Sequence, residues 1–290
     1  MTGGLFFALL TGLSWTGAGI IISCCAKGDF RLSSYSFLQT LFSGILSLLL
    51  FGSFSRFSLT QGVLLLCGTV FMAGVLNASA QFFVRRAMEK GTHAPIWAMM
   101  QCSMIFPFLA GILILGEKTQ LLPLCGMFLM IAGILLPCLK GFANVRSYFA
   151  PALSALLLFG SAQILYLVCS CVKSFADPAH LRPALVCFGN MAAWSFLLRR
   201  GPEKKLFSRK EVLLAFLMAF VYAGGLYTFF RALDLLGGAG RGNIAVPLIM
   251  GTNIGAFSLY GIFVLKQKNS LPEIASVLAV LAGLFLLSFG

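Results

Sequence analysis

The sequence predicts an all-α membrane protein of ten transmembrane helices, arranged as two inverted five-helix repeats. Three observations carry that expectation. Hydrophobic residues make up 59% of the 290 and charged residues only 10%, far from the roughly half-apolar, quarter-charged balance of soluble domains. Apolar runs long enough to cross a hydrocarbon core of ~30 Å recur along the whole chain. The pattern of one stretch, Arg86 to Leu139, is repeated from Arg231 onward.

The apolar runs cover residues 3–25, 32–52, 61–84, 94–115, 121–139, 149–172, 181–198, 211–230, 243–265 and 271–289. They are about twice the length of a barrel strand and lack polar/apolar alternation, so helices are the expected form. The first run has no basic segment ahead of it and is read as a span rather than a cleaved signal peptide.

The repeat is read from its punctuation. Arg86-Ala87-Met88-Glu89 leads to a Gly-Thr turn, an apolar helix broken by Pro107, then Leu115-Gly116-Glu117 and a second apolar helix from Leu121. Arg231-Ala232-Leu233-Asp234 leads to a Gly-rich turn, an apolar helix with Pro247, a polar break at Lys266 to Asn269 and a last helix beginning Leu271-Pro272. The repeats are residues 1–143 and 144–290. Five is odd, so the second copy enters the membrane from the opposite side, and a site is expected near the midplane between the halves.

Polar residues are placed unevenly along the spans. Span 1 carries Thr11, Ser14, Trp15 and Thr16 among small residues that allow close helix contact. Span 2 places Tyr35, Gln39 and Ser43 on one face, span 3 does the same with Asn77, Gln81 and Arg85, and span 4 with Trp97 and Gln101. Pro107 then removes a backbone hydrogen bond and should kink span 4. The second half offers Ser161, Gln163 and Tyr166, then Asn190, Trp194 and Ser195, then Tyr222 and Tyr227, then Thr252, Asn253 and Tyr260. Spans 5 and 10 are nearly featureless. Amides facing lipid cost kilocalories, so eight helices with aligned polar faces are expected to surround a polar cavity, against the plainer account that these groups bond between helices.

The formal charge of +13 does not point to nucleic acid, because the basic residues are scattered over many loops rather than gathered on one face. The loops after odd spans hold fifteen Lys and Arg against six after even spans, which by the positive-inside rule places both termini outside. Nine cysteines lie mostly within apolar runs, where Cys is usually a small hydrophobe. Neither His-x-x-x-His nor a Cys-His cluster occurs, so no metal, no cofactor and no enzymatic role are expected.

On the residues Ala87 and Gly91, Pro107, Leu115-Gly116-Glu117, Gly126 and Gly133, the chain resembles the drug/metabolite transporter superfamily, EamA type. In the second copy Gly283 matches, while Lys266 stands where the family would have a Glu. The resemblance implies a substrate cavity lined by spans 1–4 and 6–9, with spans 5 and 10 peripheral, and both termini inside. Glu117 is read as an end-of-helix structural residue.

All eight acids fall at span ends or in loops, which disfavours a proton-coupled exporter of cations built on a buried carboxylate. The remaining candidates for substrate binding are uncharged: Trp15, Gln39, Asn77, Gln101, Gln163, Tyr166, Asn190, Trp194, Tyr227 and Asn253. Amides and hydroxyls suit a small neutral or zwitterionic metabolite such as an amino acid, and aromatic faces suit an apolar group or a quaternary amine such as choline. An anion drawn to Arg85, Arg86, Arg231 and Arg241 is the third possibility. The expectation is a secondary-active transporter in the cytoplasmic membrane of a bacterium, a monomer or homodimer in the lipid bilayer. A coupling ion, H+ or Na+, is left open, and a non-transporting membrane subunit is the competing class.

Overall fold

The structure, a computed structural model, describes residues 2–24, 31–52, 60–90, 96, 99–136, 145–171, 179–200, 207–263 and 271–289. Every regular element among them is helical. In chain order these are α1 (Thr2–Cys24), α2 (Leu32–Phe51), α3 (Gln61–Met88), α4 (Met99–Leu113), α5 (Leu121–Leu135), α6 (Val145–Cys171), α7 (Arg182–Arg200), α8 (Arg209–Gly238), α9 (Ala245–Phe263) and α10 (Leu271–Phe289). Trp97, His93, Gly91 and the break at Lys266 to Asn269 lie outside the described residues.

Among the described residues, five stretches are long and apolar enough to cross a membrane: Leu32–Phe51, Gln61–Met88, Tyr148–Cys171, Arg209–Gly238 and Gly242–Tyr260. The bundle is apolar outside, with Leu64, Phe128, Leu213, Leu217, Phe220, Leu278 and Phe285 exposed. Its interior holds Gln39, Asn77, Gln101, Gln163, Asn190 and Asn253. Such a surface would aggregate in water and suits a lipid surround.

Local sequence explains where helices begin and bend. Helix α8 opens with a capping box: the Glu211 N–H donates to Ser208 Oγ at 3.1 Å and the Ser208 N–H donates to Glu211 Oε2 at 2.9 Å, satisfying two end-of-helix amides. Thr60 caps α3 by accepting from the Val63 N–H at 3.3 Å. Both α3 and α8 run past the apolar stretches, to Met88 and Gly238, so Arg86-Ala87 falls in the last turn of α3 and Arg231-Ala232 about two turns before the end of α8. The break expected at Pro107 takes the form of a 3-10 turn at Cys102–Met104, followed by regular helix from Ile105 to Leu113. A proline has no N–H and its ring crowds the carbonyl four residues back, which is Ser103.

The most extensive packing joins the two halves of the chain. Helix α1 packs on α8 and α9, α2 on α7 and α8, α3 on α6 and α7, α4 on α6, and α5 on α10. At the α3–α7 crossing Gly74 and Gly189 bring backbones into contact: a Cβ on Gly74 would overlap the Val186 carbonyl, and one on Gly189 the Phe71 carbonyl. The α5–α10 seam sets Gly126 against Gly283, and the Ser276 hydroxyl donates to the Gly133 carbonyl at 2.6 Å.

Contacts also fix which helix ends share a face. Gly4 at the start of α1 lies beside Leu235 and Leu236 at the end of α8. The Glu117 carboxylate just after α4 meets the residues that start α9. This is called the terminal end below. At the opposite end, the start of α2 meets the start of α8 through Arg31 and Glu211.

Candidate functional site

At mid-height, α3, α7 and α8 each contribute one polar side chain to a single cluster. Asn77 Nδ2 donates to Asn190 Oδ1 at 3.0 Å, and Asn190 Nδ2 lies 3.0 Å from the Val186 carbonyl and 3.4 Å from the Tyr222 hydroxyl. The close approach at Gly74 and Gly189, one turn earlier on α3, is what brings the two amides within bonding distance. Around this cluster Thr11 donates to the Thr228 hydroxyl at 2.8 Å, joining α1 to α8. Thr16 lies 3.3 Å from Asn253 Oδ1, joining α1 to α9. Gln163 Nε2 donates to Ser103 Oγ at 3.2 Å, joining α6 to α4.

Several buried polar atoms nearby have no protein partner: Trp15 Nε1, Gln101 Oε1, Gln163 Oε1 and Trp194 Nε1. Gln101 is 1% exposed, Gln163 2% and Trp194 1%. Leaving one such atom unsatisfied costs about 1–3 kcal/mol, and buried polar atoms are ordinarily bonded to protein or water; Ser47 Oγ and His180 Nε2, nearer the helix ends, are in the same state. Of the first four, two are indole donors and two are amide acceptors, a set that complements uncharged hydrogen-bonding groups.

A wall of rings adjoins these atoms. Trp15 lies on Phe229 with centroids 5.3 Å apart, Tyr166 meets Phe229 edge-on at 5.5 Å and Phe230 at 5.8 Å, and Phe229 meets Phe230 at 5.2 Å. Not every residue singled out in the sequence joins this region. Gln39 is buried on α2 with Tyr35 and Ser43. Tyr227 instead stacks on Phe51 at 4.3 Å, so of the two α8 tyrosines it is Tyr222 that reaches the amides. One sequence signal pointed there: at the spacing that relates Arg86 to Arg231, Asn77 corresponds to Tyr222. Phe229 and Ser103 carried no such signal.

The terminal end is built from ions instead. Arg182 Nη1 and Nη2 reach Asp234 Oδ1 and Oδ2 at 2.9 and 2.6 Å, and Nη1 donates to Ser170 Oγ at 2.5 Å. This joins the start of α7, the end of α8 and the end of α6. Glu117 accepts from the backbone N–H of Gly242 at 2.8 Å and of Asn243 at 2.6 Å, and Asn243 Nδ2 donates to Thr119 at 2.5 Å. Gly116, at φ 68°, occupies the left-handed region that suits glycine, and the Glu117 N–H closes back onto the Gly111 carbonyl at 2.9 Å. The carboxylate therefore caps the helical turn that opens α9, which is a structural role. Cys67, Cys102, Cys125, Cys169, Cys171 and Cys187 form no disulfide, and no group of three or more His, Cys, Asp or Glu is placed to hold a metal among the described residues.

The remaining charged candidates sit at the margins. Arg85 pairs with Glu89 at 3.1 Å with both side chains about half exposed, and Arg86 lies over the Phe82 ring at 4.7 Å. Both arrangements suit anchoring at a membrane interface.

No family model and no curated protein matches this chain. Among solved structures, one described only as "Crystal structure of protein" superposes over 100% of this chain and 97% of its own, with a TM-score of 0.77 and 13% identity. At that identity the likeness is one of fold.

Proposed function

We propose that this chain is a secondary-active membrane transporter of the drug/metabolite transporter superfamily, EamA type, moving a small neutral or zwitterionic metabolite by alternating access. The observation that carries the reading is the set of buried, partnerless polar atoms on Trp15, Gln101, Gln163 and Trp194. They are contributed by helices from both halves, as a solute held between the halves requires.

The packing supports a ten-crossing, inverted-repeat architecture. Replacing each helix by the one five places along turns the α1–α8 pair into α6–α3, α2–α8 into α7–α3 and α1–α9 into α6–α4. It maps α2–α7 and α5–α10 onto themselves, and all of these are observed pairs. The helix-end contacts support consecutive helices alternating in direction, which for an odd repeat inverts the second copy. A two-fold axis in the membrane plane lets the bundle exchange two rotation-related openings around a fixed site. The excess of Lys and Arg in loops opposite the terminal end favours that end lying outside the cytoplasm, whereas the family resemblance implies the reverse.

A second reading, a quaternary ammonium substrate such as choline, is favoured by the rings of Trp15, Tyr166 and Phe229, whose faces attract cations. The direct test is counterflow in liposomes containing purified protein. Saturable exchange of a labelled amino acid, amine, sugar or nucleoside supports the transporter. Absence of exchange across all four classes favours a non-transporting membrane subunit.

A further inference from the structure

The Arg182–Asp234 pair is unequal in burial: the Arg182 side chain is 3% exposed and that of Asp234 27%. A buried ion pair is a weak source of stability, because desolvating two charges offsets their attraction. Arg182 nevertheless is almost wholly buried although it opens α7 at the terminal end, and a buried ionisable group in a membrane bundle is a candidate for a solute pathway.

Two geometric facts connect this pair to the mid-height chamber. The Arg182 guanidinium lies over the Phe230 ring at 4.9 Å, and that ring contacts Tyr166 and Phe229, which in turn contacts Trp15. A continuous wall of rings therefore runs from the ion pair to the partnerless indole N–H of Trp15. The pair is also bidentate, with two parallel N–H···O contacts, the arrangement in which a guanidinium recognises any carboxylate. Ser170 holds Arg182 independently of Asp234, so the guanidinium stays oriented when Asp234 leaves it.

Building on the transporter reading, we infer that Arg182 and Asp234 are the charged-group subsite of the chamber and that the substrate is a zwitterion. The solute's carboxylate takes the place of the Asp234 carboxylate on Arg182, its ammonium pairs with the released Asp234, and its side chain lies along Phe230, Tyr166 and Phe229 toward Trp15. No covalent bond changes. Substrate binding exchanges one neutral set of charges for another, so no net charge enters the low-dielectric interior. Without substrate the two groups neutralise each other.

The test uses full-length protein in detergent and in liposomes. The probes are α-amino acids with apolar, polar and charged side chains, each accompanied by the amine lacking its carboxylate and the acid lacking its ammonium. At least one amino acid should raise Tm and drive counterflow, while its matched amine and acid do neither at the same concentration. Asp234→Asn and Arg182→Gln should each weaken that amino acid on the order of a hundredfold. The double variant Arg182→Gln/Asp234→Asn removes both charges together and should regain Tm relative to the single variants, yet stay blind to the amino acid. Recovery of binding in the double variant would mean that the pair only ties α6, α7 and α8 together, and would overturn the inference. So would equal response to the matched amine or acid, or no response to any amino acid. Flux of an uncharged sugar or nucleoside, with every zwitterion ignored, would overturn this assignment and leave the transporter standing; absence of any flux would remove both.

Discussion

The terminal end and the mid-height cluster differ in what their polar groups are and how they are paired, although His180 Nε2 beside the Arg182 end is also without a partner. At the terminal end Glu117 is satisfied by two backbone amides, and Asp234 and Arg182 satisfy each other. At mid-height the groups are uncharged, and Trp15, Gln101, Gln163 and Trp194 each keep a buried atom without a partner. The contrast is between charges paired at helix ends and neutral groups left open, and on the transporter reading a solute engages both, completing the open groups and displacing the Asp234 carboxylate. Substitution at Glu117 should show mainly in stability, at the neutral mid-height groups mainly in flux, and at Arg182 or Asp234 in both.

The largest expected effect tests the frame on which both regions depend. Gly74→Leu drives a side chain into the Val186 carbonyl, a clash with backbone that no rotamer relieves. Monodisperse protein should be lost on size-exclusion chromatography, and wild-type yield would show that α3 and α7 do not approach as described. Next in size, Glu117→Ala strands the amides of Gly242 and Asn243. A loss of about 2–4 kcal/mol is expected, read as a lowered Tm, with residual flux where the protein remains folded. At mid-height Asn77→Leu removes the donor to Asn190 and should cost about 1–2 kcal/mol. Smallest of all, Arg85→Gln breaks an exposed i,i+4 pair and should shift stability by less than ~0.5 kcal/mol. A larger shift there would erase the contrast between engaged ends and solvated margins.

Much of this arrangement was legible before any coordinates. The length and polarity of each run anticipated the helices, and four-residue spacing correctly put Tyr35, Gln39 and Ser43 on one buried face of α2. Spacing fixes a face along one helix but says nothing about which distant helix that face meets. For that reason Tyr227 was preferred to Tyr222, although only the latter lies against Asn190. The same limit hid the Arg182–Asp234 pair, whose members are far apart in sequence and each read as an ordinary span-end charge. The α5–α10 seam escaped as well, because glycines on an oily helix look alike until a partner backbone such as Gly283 lies against one of them.

The claim that mid-height neutral groups serve a solute rather than the fold is tested most directly at Gln101. Its Oε1 is buried without a partner, so Gln101→Leu removes an unsatisfied acceptor and should leave Tm unchanged or raised. Counterflow of the responsive solute, measured in liposomes from the same preparation, should fall to the level of protein-free vesicles. Wild-type flux from Gln101→Leu, with Asn190→Leu behaving the same way, would contradict the account.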